Sequence, residues 1–225
     1  MTIKAFWDDP YRLRHEARVS AVSGDEIQLD ETIFFAFSGG QESDAGSIDG
    51  HPVLEARAGG LDITYRLPEG HGLTSGDVVA VEIEGPRRYG LMRHHFAAEM
   101  ILQLVYALEP GISKVGAHIG PARARIDFAR TGSISALFDA LQAQAAALVA
   151  ADLPIITAFS DEANHRRYWR VEGFAQMGCG GTHPRRTGEI GVLSLKRKNQ
   201  GKGVERIEIT LDPRPFPAWC GTLPG

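Results

Sequence analysis

Apolar and polar positions alternate in short runs through the first 83 residues, with the period of two that is typical of half-buried β-strands. Turn-forming glycines separate these runs, so neighbouring runs predict hairpins. Several short strands at this spacing are typical of a small antiparallel β-barrel. The predicted strands are residues 18–22, 26–29, 53–57, 62–67 and 78–83.

The pattern becomes helical in the middle of the chain. Residues 94–108 contain neither glycine nor proline and are apolar almost all round, which predicts a buried helix ending before Pro110. Apolar positions three and four residues apart predict a second helix over 133–150, with Ser133 as its N-cap. Further strands are predicted at residues 123–128, 155–159, 168–171, 190–195 and 204–211.

Helices mixed with strands predict an α+β fold, in which a small N-terminal antiparallel β-barrel precedes an α/β two-layer domain. The length of 225 residues suits one large or two small domains. The composition change near residues 85–90 predicts a barrel domain with a glycine-rich loop at 1–88 and a second domain at 89–225.

Composition and charge restrict the class of protein. The chain is 23% charged and 8% aromatic, values typical of a globular protein rather than a disordered one. Its net charge of −4 argues against coating nucleic acid through bulk charge. The first 110 residues hold nine basic and eighteen acidic side chains, and the remainder holds fifteen and ten. The second half can therefore make local contacts with phosphates.

We expect a cytoplasmic protein with no membrane association. No apolar run resembles a membrane span of about 18 residues, and the acidic N-terminal segment lacks the apolar core of a signal peptide. The two cysteines, Cys179 and Cys220, are too few for a disulfide framework, which favours a reducing compartment.

The most specific chemical motif is the sequence Cys-Gly-Gly-Thr-His at residues 179–183. A thiolate and an imidazole four residues apart, across two glycines, can turn toward one ion, and zinc favours such a pair of sulfur and nitrogen ligands. The glycines allow a tight backbone and can aim amide N–H groups into the site. Two ligands are too few for zinc, so others must come from elsewhere in the chain.

His95 and Glu99 are the best candidates for the remaining ligands. They are spaced i, i+4 on the first predicted helix, so both project from one face. A carboxylate is an acceptable zinc ligand, and together with the Cys179 thiolate it would neutralise Zn²⁺. Glu99 can instead orient a ligand or a water without touching the metal. An ordinary helix ion pair between His95 and Glu99 is a further alternative.

Successive glycines also follow an apolar run at residues 33–37, which predicts a strand. Gly39, Gly40 and Gln41 lie in the segment SGGQESDAG, where a tight loop with exposed amides can closely approach a carbonyl or a phosphate. The alternative is a plain hairpin turn.

Basic residues flank the candidate ligands and a second glycine-containing loop. They can neutralise phosphates near the metal, or form an ordinary solvated charged surface. These residues are Arg87, Arg88, Arg93, Arg185, Arg186, Lys196, Arg197, Lys198, Lys202 and Arg206.

In combination, these motifs resemble one family. The segment CGGTHPRRTGEIG at 179–191 closely resembles the signature of the AlaX proteins, which are trans-editing proteins related to the editing domain of alanyl-tRNA synthetase (the threonyl/alanyl-tRNA synthetase second additional domain). Segments at 34–46, 87–102, 124–128 and 201–208 match in the same order. The resemblance therefore covers nearly the whole chain.

The resemblance implies an enzyme that hydrolyses mischarged alanine tRNA, removing serine or glycine as a free-standing editing factor. It implies a translation-factor-like β-barrel followed by an α/β editing domain, with the aminoacylated acceptor end of tRNA as the partner. Zinc would lie on His95, Cys179 and His183, with Glu99 where the family has its second histidine. The catalytic loop of Gly39, Gly40 and Gln41 would face the same cleft. The tRNA-binding residues would be Arg93, Arg185, Arg186, Lys196, Arg197, Lys198 and Lys202.

Four positions depart from the family pattern. Glu99 replaces a histidine, Phe96 replaces the usual threonine beside the first ligand, Ser38 replaces the first glycine of a triple, and Glu42 replaces a proline. These departures bear on substrate choice more than on fold. Two alternatives stay open: a catalytically degenerate homologue that binds tRNA without cleaving it, and a zinc-containing hydrolase of another aminoacyl ester.

Overall fold

The structure is a computed structural model that describes residues 1–218. The described chain divides into two compact units, one comprising Met1–Tyr89 with residues 215–218 and the other comprising Gly90–Arg214. The predicted domains, 1–88 and 89–225, stay a prediction.

Within the described residues, the first unit contains nine strands and a 3₁₀ turn at Ala5–Trp7. The strands are β1 Ile3–Lys4, β2 Arg14–Ser23, β3 Glu26–Leu29, β4 Glu31–Thr32, β5 Gly46–Ile48, β6 His51–Pro52, β7 Glu55–Gly59, β8 Asp62–Arg66 and β9 Val78–Ile83. Strands β1 and β4 pair in parallel. The other seven form one antiparallel sheet in the order β6-β5-β9-β2-β3-β8-β7.

Strand β2 allows this sheet to curl. Residues 14–18 pair with β9, and from Val19 onward β2 pairs with β3. A register shift between Val19 and Ala21 accompanies the change of partner, and such bulges bend a strand and increase its twist. The sheet forms a curled half-barrel in which β6 and β7 are the end strands. Arg57 of β7 also forms an isolated parallel bridge with Phe37, and residues 33–36 lie outside any strand, so the strand predicted at residues 33–37 is wrong. Closure into a full barrel stays a prediction.

Helix α1 comprises Gly85–Leu108 and begins nine residues before the predicted helix. Glycines and a proline at its start suggested a break. Pro86, however, lies in the first helical turn, where a missing N–H costs no helical hydrogen bond. Gly90 is required by packing, because a Cβ at this position would lie 2.4 Å from the carbonyl oxygen of Pro121.

The first turns of α1 carry Arg88, which is completely buried. Its guanidinium pairs with both carboxylate oxygens of Asp44, with Nε–Oδ1 at 2.9 Å and Nη2–Oδ2 at 2.5 Å. It also donates to the carbonyls of Pro10 and Ile33, while Asp44 accepts the N–H of Phe35. This network fixes the segment around Asp44 because every buried charge in it has partners.

The second unit, within the described residues, contains seven further strands and helix α2 at Phe138–Ala151. The strands are β10 Ser113–Ile119, β11 Ala124–Ala129, β12 Ile156–Asp161, β13 Arg166–Val171, β14 Ala175–Gly178, β15 Leu193–Gly201 and β16 Val204–Leu211. Two 3₁₀ turns lie at Ile134–Leu137 and Thr187–Ile190. Strands β10 and β14 were not predicted.

Two antiparallel sheets form this unit, with strand orders β10-β11-β16-β15 and β12-β13-β14. Ile126 and Phe128 of β11 and Ile207 of β16 point to one face of the larger sheet and belong to the same buried core as Ile101 and Val105 of α1. Alternate residues of these strands therefore point away from that core. The mixed arrangement confirms the α+β class.

Ser133 caps the 3₁₀ turn ahead of α2, since its side chain accepts the N–H of Ser135. The segment Ile134–Ala151 has a mean hydropathy of 1.4 over 18 residues, with 17% of it buried. By length and composition alone, this segment is long enough to cross a membrane, and one such segment within residues 1–218 is weak evidence for a span. The absence of membrane association stays a prediction.

Candidate metal centre

Helix α1 presents His95 and Glu99 on one buried face. Their exposed fractions are 6% and 8%, and His95 Nε2 lies 3.3 Å from Glu99 Oε1. The spacing of four residues places the two side chains one turn apart. Glu99 is thus a buried carboxylate, which requires compensating partners close by.

The loop after β14 supplies the other half of the site. Cys179 continues the pairing with β13, because its N–H donates to the carbonyl of Arg167 at 2.9 Å. The chain then turns at the two glycines, and the N–H of Gly181 points at the Cys179 sulfur, 3.4 Å away. His183 is 4% exposed. The strand therefore fixes the thiol, and the glycine turn brings the imidazole back beside it.

The four side chains predicted as ligands lie together. One donor atom from each of His95, Glu99, Cys179 and His183 falls within 4.8 Å of the others. The Cys179 sulfur is 3.6 Å from His95 Nε2, and His183 Nε2 is 2.8 Å from Glu99 Oε2. Ligands of a tetrahedral zinc ion stand about 3.3 to 3.8 Å apart, given zinc–ligand bonds of about 2.0 to 2.3 Å. The cluster fits a metal ion of this kind with small adjustments of side-chain position.

Charge within the cluster is balanced by mutual contact. Burial disfavours the charged form of each group, but the opposite charges and hydrogen bonds of its neighbours have the larger effect on its pKa. The imidazoles of His95 and His183 lower the pKa of the Cys179 thiol to about 7. Glu99 and Cys179 raise the pKa of both imidazoles, that of His95 most, and the imidazoles hold the pKa of Glu99 far below its usual range. A divalent cation can replace the protons that the two imidazoles carry in this arrangement.

An apolar wall adjoins the ligands. The ring of Phe96 contacts Trp169 edge-on at 5.1 Å between centroids and His183 at 6.2 Å. Phe96 and Trp169 are both fully buried. The wall lowers the local polarity around His183, which strengthens electrostatic interactions at the cluster.

The glycine-rich segment of the first unit forms a tight turn. Gly39 and Gly40 have positive φ angles of 60° and 91°, and Ser38 and Gln41 exchange backbone hydrogen bonds of 3.2 and 2.9 Å. Positive φ at both central positions is the hallmark of a two-residue hairpin turn and favours glycine. The local geometry is therefore that of the hairpin turn given above as the alternative for this segment. Gly39 is exposed at the tip of this turn.

The structure divides the predicted phosphate-binding residues into those that are buried or paired inside the protein and those that are exposed. Arg93 is 4% exposed, and its guanidinium donates to the carbonyls of Glu189 and Ile190 and pairs with Asp212 at 3.0 Å. Arg197 pairs with Glu205 on the core side of the larger sheet. The predicted phosphate-binding residues that are exposed are Arg185, Arg186, Lys196, Lys198 and Lys202.

Two further cations, which the sequence pattern does not single out, lie beside Lys198. Arg123 and Arg125 line one cavity with Lys198 and Arg206. The signal was the alternation of arginine with apolar residues in the segment ARARIDF, which starts at residue 122. Strand pairing was needed to show which other strands share the arginine face.

Known proteins are similar to this chain both in the segment that contains Cys179 and His183 and over nearly its whole length. The family model described as the threonyl and alanyl tRNA synthetase second additional domain matches residues 170–208, which include Cys179 and His183. The alanyl-tRNA editing protein AlaX-M of Methanosarcina barkeri is 32% identical, over 94% of this chain and 99% of its own length. AlaX-M of Pyrococcus horikoshii is 27% identical over the same shares. An alanine–tRNA ligase of Korarchaeum cryptofilum is 31% identical over 91% of this chain and 26% of the ligase.

The second unit is thus similar, in the segment that supplies a thiol and an imidazole, to the second additional domain of these synthetases. The chain belongs to the AlaX-M family of alanyl-tRNA editing proteins, since it spans almost the full length of a relative that is 32% identical.

Proposed function

We propose that this protein is a trans-editing deacylase that hydrolyses the aminoacyl ester of alanine tRNA charged with serine or glycine. Relatives of the same length carry the name of alanyl-tRNA editing proteins. The observation that carries the proposal is the convergence of His95, Glu99, Cys179 and His183 within 4.8 Å. The similarity to alanine–tRNA ligases does not assign the ligase reaction to this protein, because the match covers about a quarter of the ligase.

Zinc is the proposed cofactor. A thiolate, two imidazoles and a carboxylate form a donor set that zinc accepts, and the two anionic ligands balance its charge in a buried site. With four side chains bound, zinc would keep no open position for water, so it would supply positive charge near the substrate and anchor the cleft. We assign all four side chains as ligands, with Glu99 in the position that the family gives to a histidine.

The residues of the chain have three tasks in this mechanism. Cys179 and His183, on a loop fixed by β14, hold their donor atoms in place against His95 and Glu99 on the rigid helix. The apolar ring of Phe96 limits access of bulk water to His183. The amides of Gly39 and Gly40 donate to an oxygen of the substrate, either the ester carbonyl or a phosphate, because a glycine turn lets another molecule come close to the backbone.

Discrimination among amino acids requires that serine and glycine esters react and alanine esters persist. Serine differs from alanine by a hydroxyl, which a site can use through a polar partner, and glycine differs by a missing methyl group. Phe96 offers no hydroxyl to a serine side chain.

The test combines metal analysis with deacylation of alanine tRNA charged separately with serine, glycine and alanine. We expect about one zinc per chain and turnover of the serine or glycine ester well above that of the alanine ester. A protein that binds these tRNAs and leaves all three esters intact in single-turnover assays is a degenerate binding homologue. Equal hydrolysis of a small aminoacyl ester without tRNA would identify a hydrolase of another substrate class.

A further inference from the structure

The outer face of the larger sheet in the second unit carries a basic surface that the metal centre does not use. Pairing registers place His118, Arg125, Glu208 and Lys196 side by side across the four strands. The next row on the same face contains Gly116, Asp127, Arg206 and Lys198. Because Ile126 and Ile207 point to the opposite face and pack in the core with α1, this surface faces away from the helix that carries His95 and Glu99.

Two arginines on this surface are held in fixed positions. Arg206 binds Asp127 through Nε–Oδ1 at 2.6 Å and Nη2–Oδ2 at 3.0 Å, and Arg125 Nη1 also donates to Asp127 Oδ2. Asp127 is 8% exposed. Gly116 leaves room for this carboxylate, since a Cβ there would lie 3.1 Å from Asp127 Oδ2. One buried carboxylate thus orders two guanidinium groups and neutralises only one of them.

Beside the two ordered arginines lies a cavity of about 120 Å³. Its lining includes Arg123, Arg125, Lys198 and Arg206, together with His118 and a single carboxylate, Glu208. Together with Lys196, the four Arg and Lys residues of the cavity give this surface five permanent positive charges. Two carboxylates, those of Asp127 and Glu208, lie on the same surface. This local excess of positive charge lies on a chain whose net charge is −4. Such a patch attracts a polyanion, and its concave centre can seat one phosphate between fixed guanidinium groups.

We propose that this face, defined by Arg123, Arg125, Lys196, Lys198 and Arg206, binds the phosphodiester backbone of tRNA. The proposal rests on the proposed function for its choice of RNA as the partner. Double-stranded RNA is bound mainly through its phosphates and its shape rather than its base edges, which suits a basic sheet face with one cavity that can seat a phosphate. The single-stranded 3′ end of tRNA extends beyond the double-helical stem, and we assign the stem to the outer sheet face and the 3′ end to the metal centre.

The experiment measures binding of uncharged alanine tRNA as a function of salt concentration. The variant R123Q/K198Q removes two exposed cations that line the cavity. Its matched control is R166Q/R170Q, which removes two exposed arginines of β13 from the smaller sheet. We expect the first variant to lose roughly tenfold or more in affinity at about 0.1 M salt and to lower the salt slope by about one per cation, with the control close to wild type.

A second variant, Glu208→Gln, removes a carboxylate from the same face and is expected to tighten binding, a gain that misfolding cannot produce. Equal losses in R123Q/K198Q and R166Q/R170Q, or no loss in the first, would overturn the proposal, as would unchanged or weaker binding by E208Q. Because uncharged tRNA is the probe, binding is measured independently of ester hydrolysis. A protein that binds through this face and does not deacylate contradicts the proposed function and leaves the face in place.

Discussion

His183 Nε2 lies 2.8 Å from Glu99 Oε2, although the two residues are 84 positions apart in the sequence. Both side chains are buried, and the contact joins a helix to a loop that follows a β-strand. A buried carboxylate is stable here because His95 contacts its other oxygen at 3.3 Å. Glu99 is therefore the residue that links the two halves of the cluster.

The first prediction concerns the charge of Glu99. Replacing it by glutamine keeps the shape but removes the anionic ligand, so zinc affinity is expected to fall by more than the roughly 10- to 100-fold that is typical for a partner that does not touch the metal. Replacing it by histidine restores a strong donor and is expected to retain stoichiometric zinc. Competition with a chromophoric chelator measures both affinities. Wild-type affinity in Glu99→Gln would show that Glu99 does not bind the metal.

Zinc retention is expected to depend on pH. The pKa of Cys179 is lowered to about 7 by the neighbouring imidazoles, while Glu99 and Cys179 raise the pKa of His95 and His183. Below pH 7 the thiol holds its proton and both imidazoles are charged, so protons compete with the metal for every nitrogen and sulfur ligand. Zinc content after dialysis should fall as the pH is lowered from about 8 to about 6. Constant zinc content across this interval would contradict the assigned ligands.

Much of the fold could be predicted because local sequence and tertiary packing agree. The alternation at residues 78–83 gives strand β9 with the bounds Val78–Ile83. The start of α1 could not be predicted, because Gly90 is explained by the close approach of Pro121, which is a tertiary contact. Strand β14 is short and contains alanine and glycine, which have weak β propensity, so nothing local indicates it.

The same distinction holds for the candidate site. The i, i+4 spacing of His95 and Glu99 and the Cys179 to His183 spacing are local, and they indicate two half-sites. Their meeting, and the separation of Arg93 from solvent, depend on how the helix and strands pack. The basic sheet face depends on register across four strands, which sequence spacing does not specify.

The buried pair of Asp44 and Arg88 predicts a large effect on stability. Asp44→Ala leaves the guanidinium of Arg88 buried without its counter-ion, and we expect a loss of about 3 to 5 kcal/mol in the free energy of unfolding. Urea unfolding followed by tryptophan fluorescence and circular dichroism measures this loss.

The matched control for this prediction is Glu55→Ala. Its partner Arg66 lies 3.3 Å away, and the two side chains are 44% and 40% exposed, so the expected loss is below about 1 kcal/mol. A loss at Asp44 no larger than that at Glu55 would mean that Arg88 finds other compensation.

The central claim is that Cys179 holds a metal required for deacylation. The most direct measurement compares Cys179→Ser with Cys220→Ser, the same substitution at the other cysteine, which lies outside the described residues. Zinc content and single-turnover hydrolysis of serine-charged alanine tRNA are measured on the same preparations. We predict that the Cys179 variant loses both together while the Cys220 variant retains both. Full deacylation by a zinc-free Cys179→Ser protein would contradict the account.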